Sequence, residues 1–302
     1  MELSWLEDFL TLSNTLNFSR AAELRNLTQP TFSRRIRNLE NWLGVTLVDR
    51  GTFPASLTAE GRSFRKAAEE TVHALYRERE QCLQMAGGEA SFQSFVTLHT
   101  IAVSFFPHWL HTLEGKLGPL RTRMTCATMN DCVENLVSGA SNFMLFYAHP
   151  SAPLRLDPVQ YPSLVVGKER LIPVSAPGRG RKPRHPLLGG GTKPTPYLRY
   201  ARHTFITRLI DTIIAAQPKP PLLEVRHENA LTLSLKVMTM EGHGLTWLPE
   251  TSIKAELQAG SLVLAGPSEW SLAMEIRAYR SVQRGAREKE RIWSLLHESA
   301  VD

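Results

Sequence analysis

Residues 17–40, NFSRAAELRNLTQPTFSRRIRNLE, constrain this chain more than any other stretch. They hold two short helical patterns with barely a turn between them. Positions i, i+4 and i+7 share a helix face. Phe32, Ile36, Leu39 and Leu43 therefore form an apolar stripe that must dock on a preceding helix. Gln29, Ser33 and Arg37 keep the same spacing on another face, flanked by Pro30 and Arg34. Thr28 suits an N-cap, and Pro30 in the first turn forfeits no helical hydrogen bond. Ser19 is the candidate cap of the earlier helix, where Ala21 and Ala22 permit close approach.

Two short helices, a tight turn, an apolar face and an exposed polar-basic face make a helix-turn-helix. Arg and Gln can contact base edges bidentately, while Ser, Thr and helix N-terminal amides hold phosphates. Taken alone, Arg34, Arg35 and Arg37 read equally as a solvated helix face. The flanks favour the DNA reading. Leu6, Phe9 and Leu10 give an amphipathic helix upstream, and GVTLVDRGTFPASLT reads as a helix stop at Gly44 followed by two strands around a turn, a wing.

FSRAAELRNLTQPTFSRRIRNLENWLGVTLVDR followed by LTAEG resembles the N-terminal signature of LysR-type transcriptional regulators. The match runs without a gap through Ser19, Ala21, Ala22, Thr28, Gln29, Pro30, Ser33, Arg34, Ile36, Leu39, Glu40, Leu43, Gly44, Leu47, Arg50, Leu57, Thr58 and Gly61. The resemblance implies DNA contacts from Ser19, Thr28, Gln29, Pro30, Thr31, Ser33, Arg34, Arg37 and Arg50. One departure is the wing, where Thr52-Phe53-Pro54 stands in place of a second basic residue.

From Thr58 a long helix runs to about Met85, before Gly87-Gly88. Along it Phe64, Ala68, Thr71, Leu75, Glu78, Cys82 and Met85 alternate by four and three. This is a coiled-coil seam, or a helix packed on its own chain. In the family that helix pairs two subunits. Residues 90–302 alternate strand and helix patterns, which implies an α/β architecture. SFVTLHTIAV is expected as a strand, Ser104–Glu114 as a helix, and the basic Gly/Pro-rich stretch 176–196 as a solvated loop. EGHGLTWLPE matches a family motif. The fold expected is an N-terminal winged helix-turn-helix, mainly α, over 1–58, then a linker helix over 59–88. A two-lobed α/β effector-binding domain of periplasmic-binding-protein type fills 89–302, its first lobe from 89–162 and 266–302 and its second from 163–265. His99, YARHTFITRLI, Trp247-Leu248-Pro249-Glu250 and the Pro54 wing resemble the hypochlorite-responsive subgroup most closely.

Ligands of such domains sit at strand ends and helix N-termini. The resemblance implies a crevice at His99, Thr100, Ala102 and Ser104, at Arg202, His203 and Thr204, and at Asn229 and Thr246. Arg202 beside a helix N-terminus favours an anionic effector, or simply pairs with a nearby acid. The eight methionines and the cysteines Cys82, Cys126 and Cys132 raise oxidant sensing as an alternative signal; core packing accounts for the methionines equally. The cysteine spacing fits no zinc site or disulfide framework, so no metal or cofactor is expected. No nucleophile elbow, P-loop or G-x-G-x-x-G fingerprint supports an enzyme. The net charge of +6 permits an anionic partner. The acidic start MELSWLEDFLTL lacks a signal-peptide pattern and no apolar run reaches membrane-spanning length, so a cytoplasmic protein is expected. The expected partners are double-stranded DNA with a partly symmetric operator, a second copy in a homodimer or homotetramer, and a small-molecule effector.

Overall fold

The computed structural model describes residues 1–51, 54–85, 92–187, 193–202, 204–282 and 287–299. The N-terminal part holds α1 (Leu3–Thr15), α2 (Phe18–Leu24) and α3 (Gln29–Leu43), then the wing strands β1 (Val48–Asp49) and β2 (Ser56–Leu57). Asn17, not Ser19, caps α2, its side chain accepting from the Arg20 amide at 3.0 Å. Asn26 adopts φ 53° in the turn to α3, a left-handed conformation that Asn tolerates better than most residues. Thr28 occupies the N-cap of α3, but its hydroxyl bonds to Thr31 rather than to the backbone. Phe32, Ile36 and Leu39 are fully buried, contributing about 1.5–3 kcal/mol each.

Thr58 accepts from the Gly61 amide at 2.9 Å and starts α4 (Ala59–Met85). A Cβ on Gly61 would lie 2.0 Å from the Leu47 carbonyl oxygen, so only glycine lets α4 approach the wing this closely. The seam expected along α4 divides. Phe64 and Ala68 join Val72 and Tyr76 against the N-terminal core of the same chain, whereas Thr71, Leu75 and Glu78 face outward. The step from Ala68 to Val72 and Tyr76 keeps a spacing of four, which follows the single helix α1 rather than a heptad partner. The Gly87-Gly88 stop lies outside the described residues.

The remainder is α/β. β3 (Gln93–Thr97) lies between the parallel partners β4 (Thr122–Cys126) and β5 (Phe143–Ala148). The strand expected over SFVTLHTIAV stops at Thr97. Leu98 turns the chain into α5 (His99–Ser104), which α6 (Phe106–Leu117) follows, and Ile101 is buried from the helix. Tertiary burial thus overrides the β-branched preference of Ile101 and Val103. α7 (Met129–Val137) is capped by Thr128. β6 (Ser163–Ser175) is one long strand. Its first half pairs antiparallel with β11 (Leu272–Tyr279), which also pairs with β5. Its second half pairs with β9 (Thr246–Pro249) and β10 (Val263–Leu264).

The second lobe gathers β7 (Thr195–Tyr200) parallel to β8 (Leu223–Asn229), with α8 (Phe205–Ala215), α9 (Thr232–Met240) and α10 (Lys254–Ala259). α11 (Arg287–Ser299) ends the described chain. Two lobes are therefore joined by strands that cross between them. Trp247, fully buried, donates its indole N–H to the Trp270 carbonyl at 2.8 Å. The basic stretch is only partly a solvated loop: His185 Nε2 bonds the Gly242 carbonyl at 2.8 Å and Leu187 is buried, while 188–192 lie outside the described residues.

Candidate DNA interface and effector crevice

On the outer side of α3, Thr28, Gln29, Pro30, Arg34 and Arg37 are exposed, with Thr31 and Ser33 half-buried beside them. Ser19 is exposed on α2. Among the described residues Arg34 and Arg37 have no carboxylate partner, so two guanidinium groups and one amide stand uncommitted on one face. Arg35 points inward instead, donating to Asp8 at 3.3 Å. Arg50 is engaged: it donates to Glu40 at 2.8 Å and stacks on Phe18 with 5.3 Å to the ring centre. The other Glu40 oxygen accepts from the Leu47 and Val48 amides at 3.0 and 3.2 Å. Glu40 thereby fixes the wing to the helix, a role that its spacing alone did not show.

Beneath this face lies an ionic cluster. Arg25, in the turn before α3, donates to Glu7 at 2.7 Å, to Asp8 at 2.8 Å and to Glu134 of α7 at 2.9 Å. Asp8 is fully buried, and Tyr76 of α4 donates to Glu7 at 2.7 Å. Burial works against the charge of Arg25, but Asp8, Glu134 and Glu7 outweigh it and raise its pKa. Burial also raises the carboxyl of Glu134, with Arg25 and Thr11 opposing, and pushes the Tyr76 phenol up to about 12, helped by Glu7. The helix-turn-helix is thus tied to its own linker helix and to α7 of the α/β part.

Of the expected effector residues, His99, Thr100 and Ser104 do meet at one small crevice of about 50 Å³. Thr232, Lys236 and Ser252 complete it from the second lobe. Thr100 donates to Thr232 at 2.7 Å, and the buried hydroxyl of Tyr200 donates to the same Thr232 oxygen at 3.1 Å. The others are placed elsewhere. Thr246 is fully buried and donates to the Leu198 carbonyl at 2.7 Å, serving the sheet. Asn229 closes a turn, bonding Ser234 and the Leu231 amide. Thr204 caps α8 through the Thr207 amide, leaving that N-terminus partly self-satisfied. Arg202 is exposed beside Glu228, whose carboxyl is lowered first by Arg199 and also by Arg202. Ala102 is half-buried on α5 and does not line the crevice, and His203 lies outside the described residues.

Two features between the lobes had no clear sequence signal. The hydroxyl of Tyr147 on β5 is buried without a hydrogen-bond partner among the described residues, its ring stacked on Phe205 at the start of α8. Its pKa is raised well above the ordinary value by burial and then by Glu169 and Tyr200. Arg208 of α8 donates to the Met129 sulfur of α7 at 2.8 Å, while its Nε is buried with no partner among the described residues. Among the described residues, no group of three or more His, Cys, Asp or Glu side chains could hold a metal ion, and no helix is long and apolar enough to cross a membrane.

Comparison with known proteins agrees with this geometry. Residues 3–62 match the bacterial regulatory helix-turn-helix protein, lysR family, and residues 94–300 match the LysR substrate binding domain. The HTH-type transcriptional regulator YjiE of Escherichia coli (strain K12) is 28% identical, over all of this chain and 96% of that one. DarR of Vibrio fischeri, solved in complex with DNA, is 31% identical with a TM-score of 0.60, covering 98% of both chains. Full-length HypT of Salmonella typhimurium, a hypochlorite-specific LysR-type regulator, is 28% identical with a TM-score of 0.59 over 100% of this chain and 99% of that one. A helix-turn-helix with an uncommitted basic face, joined by a long helix to two crossed α/β lobes, is the architecture of a DNA-binding transcriptional regulator and not of an enzyme, and this chain belongs to the LysR family.

Proposed function

We propose that this LysR-type regulator reads DNA with the outer face of α3 and adjusts that reading to a small anion held between its lobes. Gln29, Ser33, Arg34 and Arg37 would reach base edges, while Ser19, Thr28, Pro30 and Thr31 lie along the phosphates. Arg50 would contribute to backbone contact only by sharing its charge with Glu40. The division at 58 and 88, with lobes exchanging near 163 and 265, assigns these tasks to separate units. Two copies paired through the outward residues of α4 would present two recognition helices to a partly symmetric site, as a dimer or as a tetramer.

The observation that carries the effector reading is the buried, unpaired Tyr147 hydroxyl between the lobes. A buried polar group without a partner costs about 1–3 kcal/mol, which a ligand accepting its proton would recover. The small crevice is lined by His99, Val103, Leu233, the hydroxyls of Thr100, Ser104, Thr232 and Ser252, and Lys236, whose ammonium Glu256 already holds at 2.7 Å, so it is the hydroxyl donors that suit a compact anion. Such a ligand would compete for the Thr100–Thr232 bond and bias the lobe arrangement. The test is a thermal-shift screen of the full chain with halides, nitrate, formate and small carboxylates. A ligand of the folded state raises Tm with concentration. The rise should vanish in Thr232→Val and weaken in Tyr147→Phe. No rise with any of these ions, or an unchanged rise in both variants, refutes the reading.

The Arg208–Met129 contact favours a second reading, oxidant sensing. Hydrogen peroxide would transfer one oxygen atom to the Met129 sulfur, its O–O bond breaking and water leaving. The sulfoxide oxygen would be a far stronger acceptor for Arg208 across the lobes. Peroxide-dependent change in operator affinity that Met129→Leu abolishes and methionine sulfoxide reductase reverses would support it; an unaltered response in Met129→Leu would eliminate it.

A further inference from the structure

A wider cavity lies away from the small crevice, over the other part of the sheet. It encloses about 700 Å³, a volume usual for small-molecule sites, where the crevice offers about 50 Å³. One wall is the connection from β5 to β6, which supplies Leu154, Leu156 and Tyr161. The other wall is β6 and β11, with Met274, Tyr279, Lys168 and Arg277. Tyr161 is buried, and Arg65 and Glu69 of α4 act on it electrostatically, so the linker helix backs the connecting segment.

The charges of this cavity are unevenly committed. Arg277 donates to Glu275 at 2.7 Å and to Ser163 at 3.0 Å. Glu169 at the rim accepts from the Thr251 hydroxyl and from the Arg170 and Thr251 amides. Lys168 stands directly across from Glu275 in the β6–β11 register. Since Glu275 is held by Arg277, Lys168 is left exposed, with no ion-pair or hydrogen-bond partner among the described residues. The Tyr161 and Tyr279 hydroxyls likewise have no partner among the described residues, and burial holds both phenols in the neutral, donating form. Apolar walls, two free phenol donors and one free ammonium together suit one chemical class.

We infer that this cavity is a second small-molecule site, separate from the crevice, for an amphipathic monocarboxylate whose apolar body lies along Leu154, Leu156 and Met274 and whose carboxylate meets Lys168. The experiment is isothermal titration of the full-length chain with 2-naphthoate, decanoate and the uncharged 2-naphthamide. A single saturable site per chain is expected for at least one of the two carboxylates, with the amide much weaker. Lys168→Ala, a surface change, should weaken binding about tenfold through loss of a charge-assisted hydrogen bond. Ala273→Trp, which fills the exposed mouth of the cavity, should abolish it while leaving the circular-dichroism spectrum intact. Thr232→Val in the crevice should leave the affinity unchanged. The inference falls if neither carboxylate saturates, if the amide binds equally well, if Lys168→Ala has no effect, or if Thr232→Val removes the site.

Discussion

Replacing Arg25 by Met separates the internal support of the helix-turn-helix from its contact with the α/β part. Arg25 serves Glu7, Asp8 and Glu134 at once. Removing one partner of a buried ion pair costs about 3–5 kcal/mol. The low end applies here, because the Arg25 side chain is 22% exposed and Asp8 keeps Arg35 at 3.3 Å. A loss of about 3 kcal/mol in local opening free energy speeds amide exchange by roughly a hundredfold. The protected amides of α2 and α3 in the full chain should show this by hydrogen exchange with mass spectrometry. Glu134→Gln is the control. It loses the ion pair to Arg25 and weakens the contact with Thr11, yet leaves Glu7 and Asp8 in place. Its effect on α2 and α3 should stay below about 1 kcal/mol. An acceleration of less than tenfold in Arg25→Met, or equal acceleration in Glu134→Gln, would refute the claim that Arg25 holds the motif together from within.

Gly61→Ala drives a methyl into the Leu47 carbonyl and should destabilise the wing junction by about 3 kcal/mol, read as faster exchange of the Leu47 and Val48 amides. Glu169 offers a pH signature. Burial raises its folded-state carboxyl above the ordinary 4.5 despite the Thr251 and Arg170 bonds. Its stabilising contribution is therefore complete below that value and lost as pH rises through the folded pKa. Tm of the native chain relative to Glu169→Gln should fall as pH climbs from about 4 to about 8; a constant difference would contradict the burial argument. Cys82 and Cys126 are exposed while burial pushes the Cys132 thiol up. Iodoacetamide should label Cys126 in the native protein and Cys132 only after unfolding, as peptide mapping would show.

The stripe of Phe32, Ile36 and Leu39 was legible because helix period and burial agree over one short segment. Arg34 and Arg37 followed from it, as the residues left on the opposite side. Arg25 was not legible: its partners stand 17, 18 and 109 residues away, and no local pattern reports such pairing. Within the α4 seam only Phe64 and Ala68 were misplaced, because they satisfy both a heptad and a stripe of four-residue steps. Only the position of α1 decides between them. Around the crevice, His99, Thr100 and Ser104 were suggested by the family resemblance, whereas Thr232, Lys236 and Ser252 come from a helix and a turn that meet them only after folding. Thr246 shows the reverse error, since a hydroxyl beside a family motif can be spent entirely on a backbone carbonyl. Tyr147 reads in sequence as one more apolar strand residue within FMLFYA, and its unpaired hydroxyl emerges only from the packing.

The most direct test of the account is selection of random duplex DNA by the full-length chain, repeated with Arg34→Ala and Arg37→Ala and followed by salt titration. A partly symmetric motif with two half-sites should be enriched, and each variant should relax preference within the half-site at a loss of about 1–3 kcal/mol. Binding should also weaken steeply as salt rises. If no motif is enriched, or if the motif and its affinity survive both substitutions, α3 does not read the DNA and the account fails at its centre.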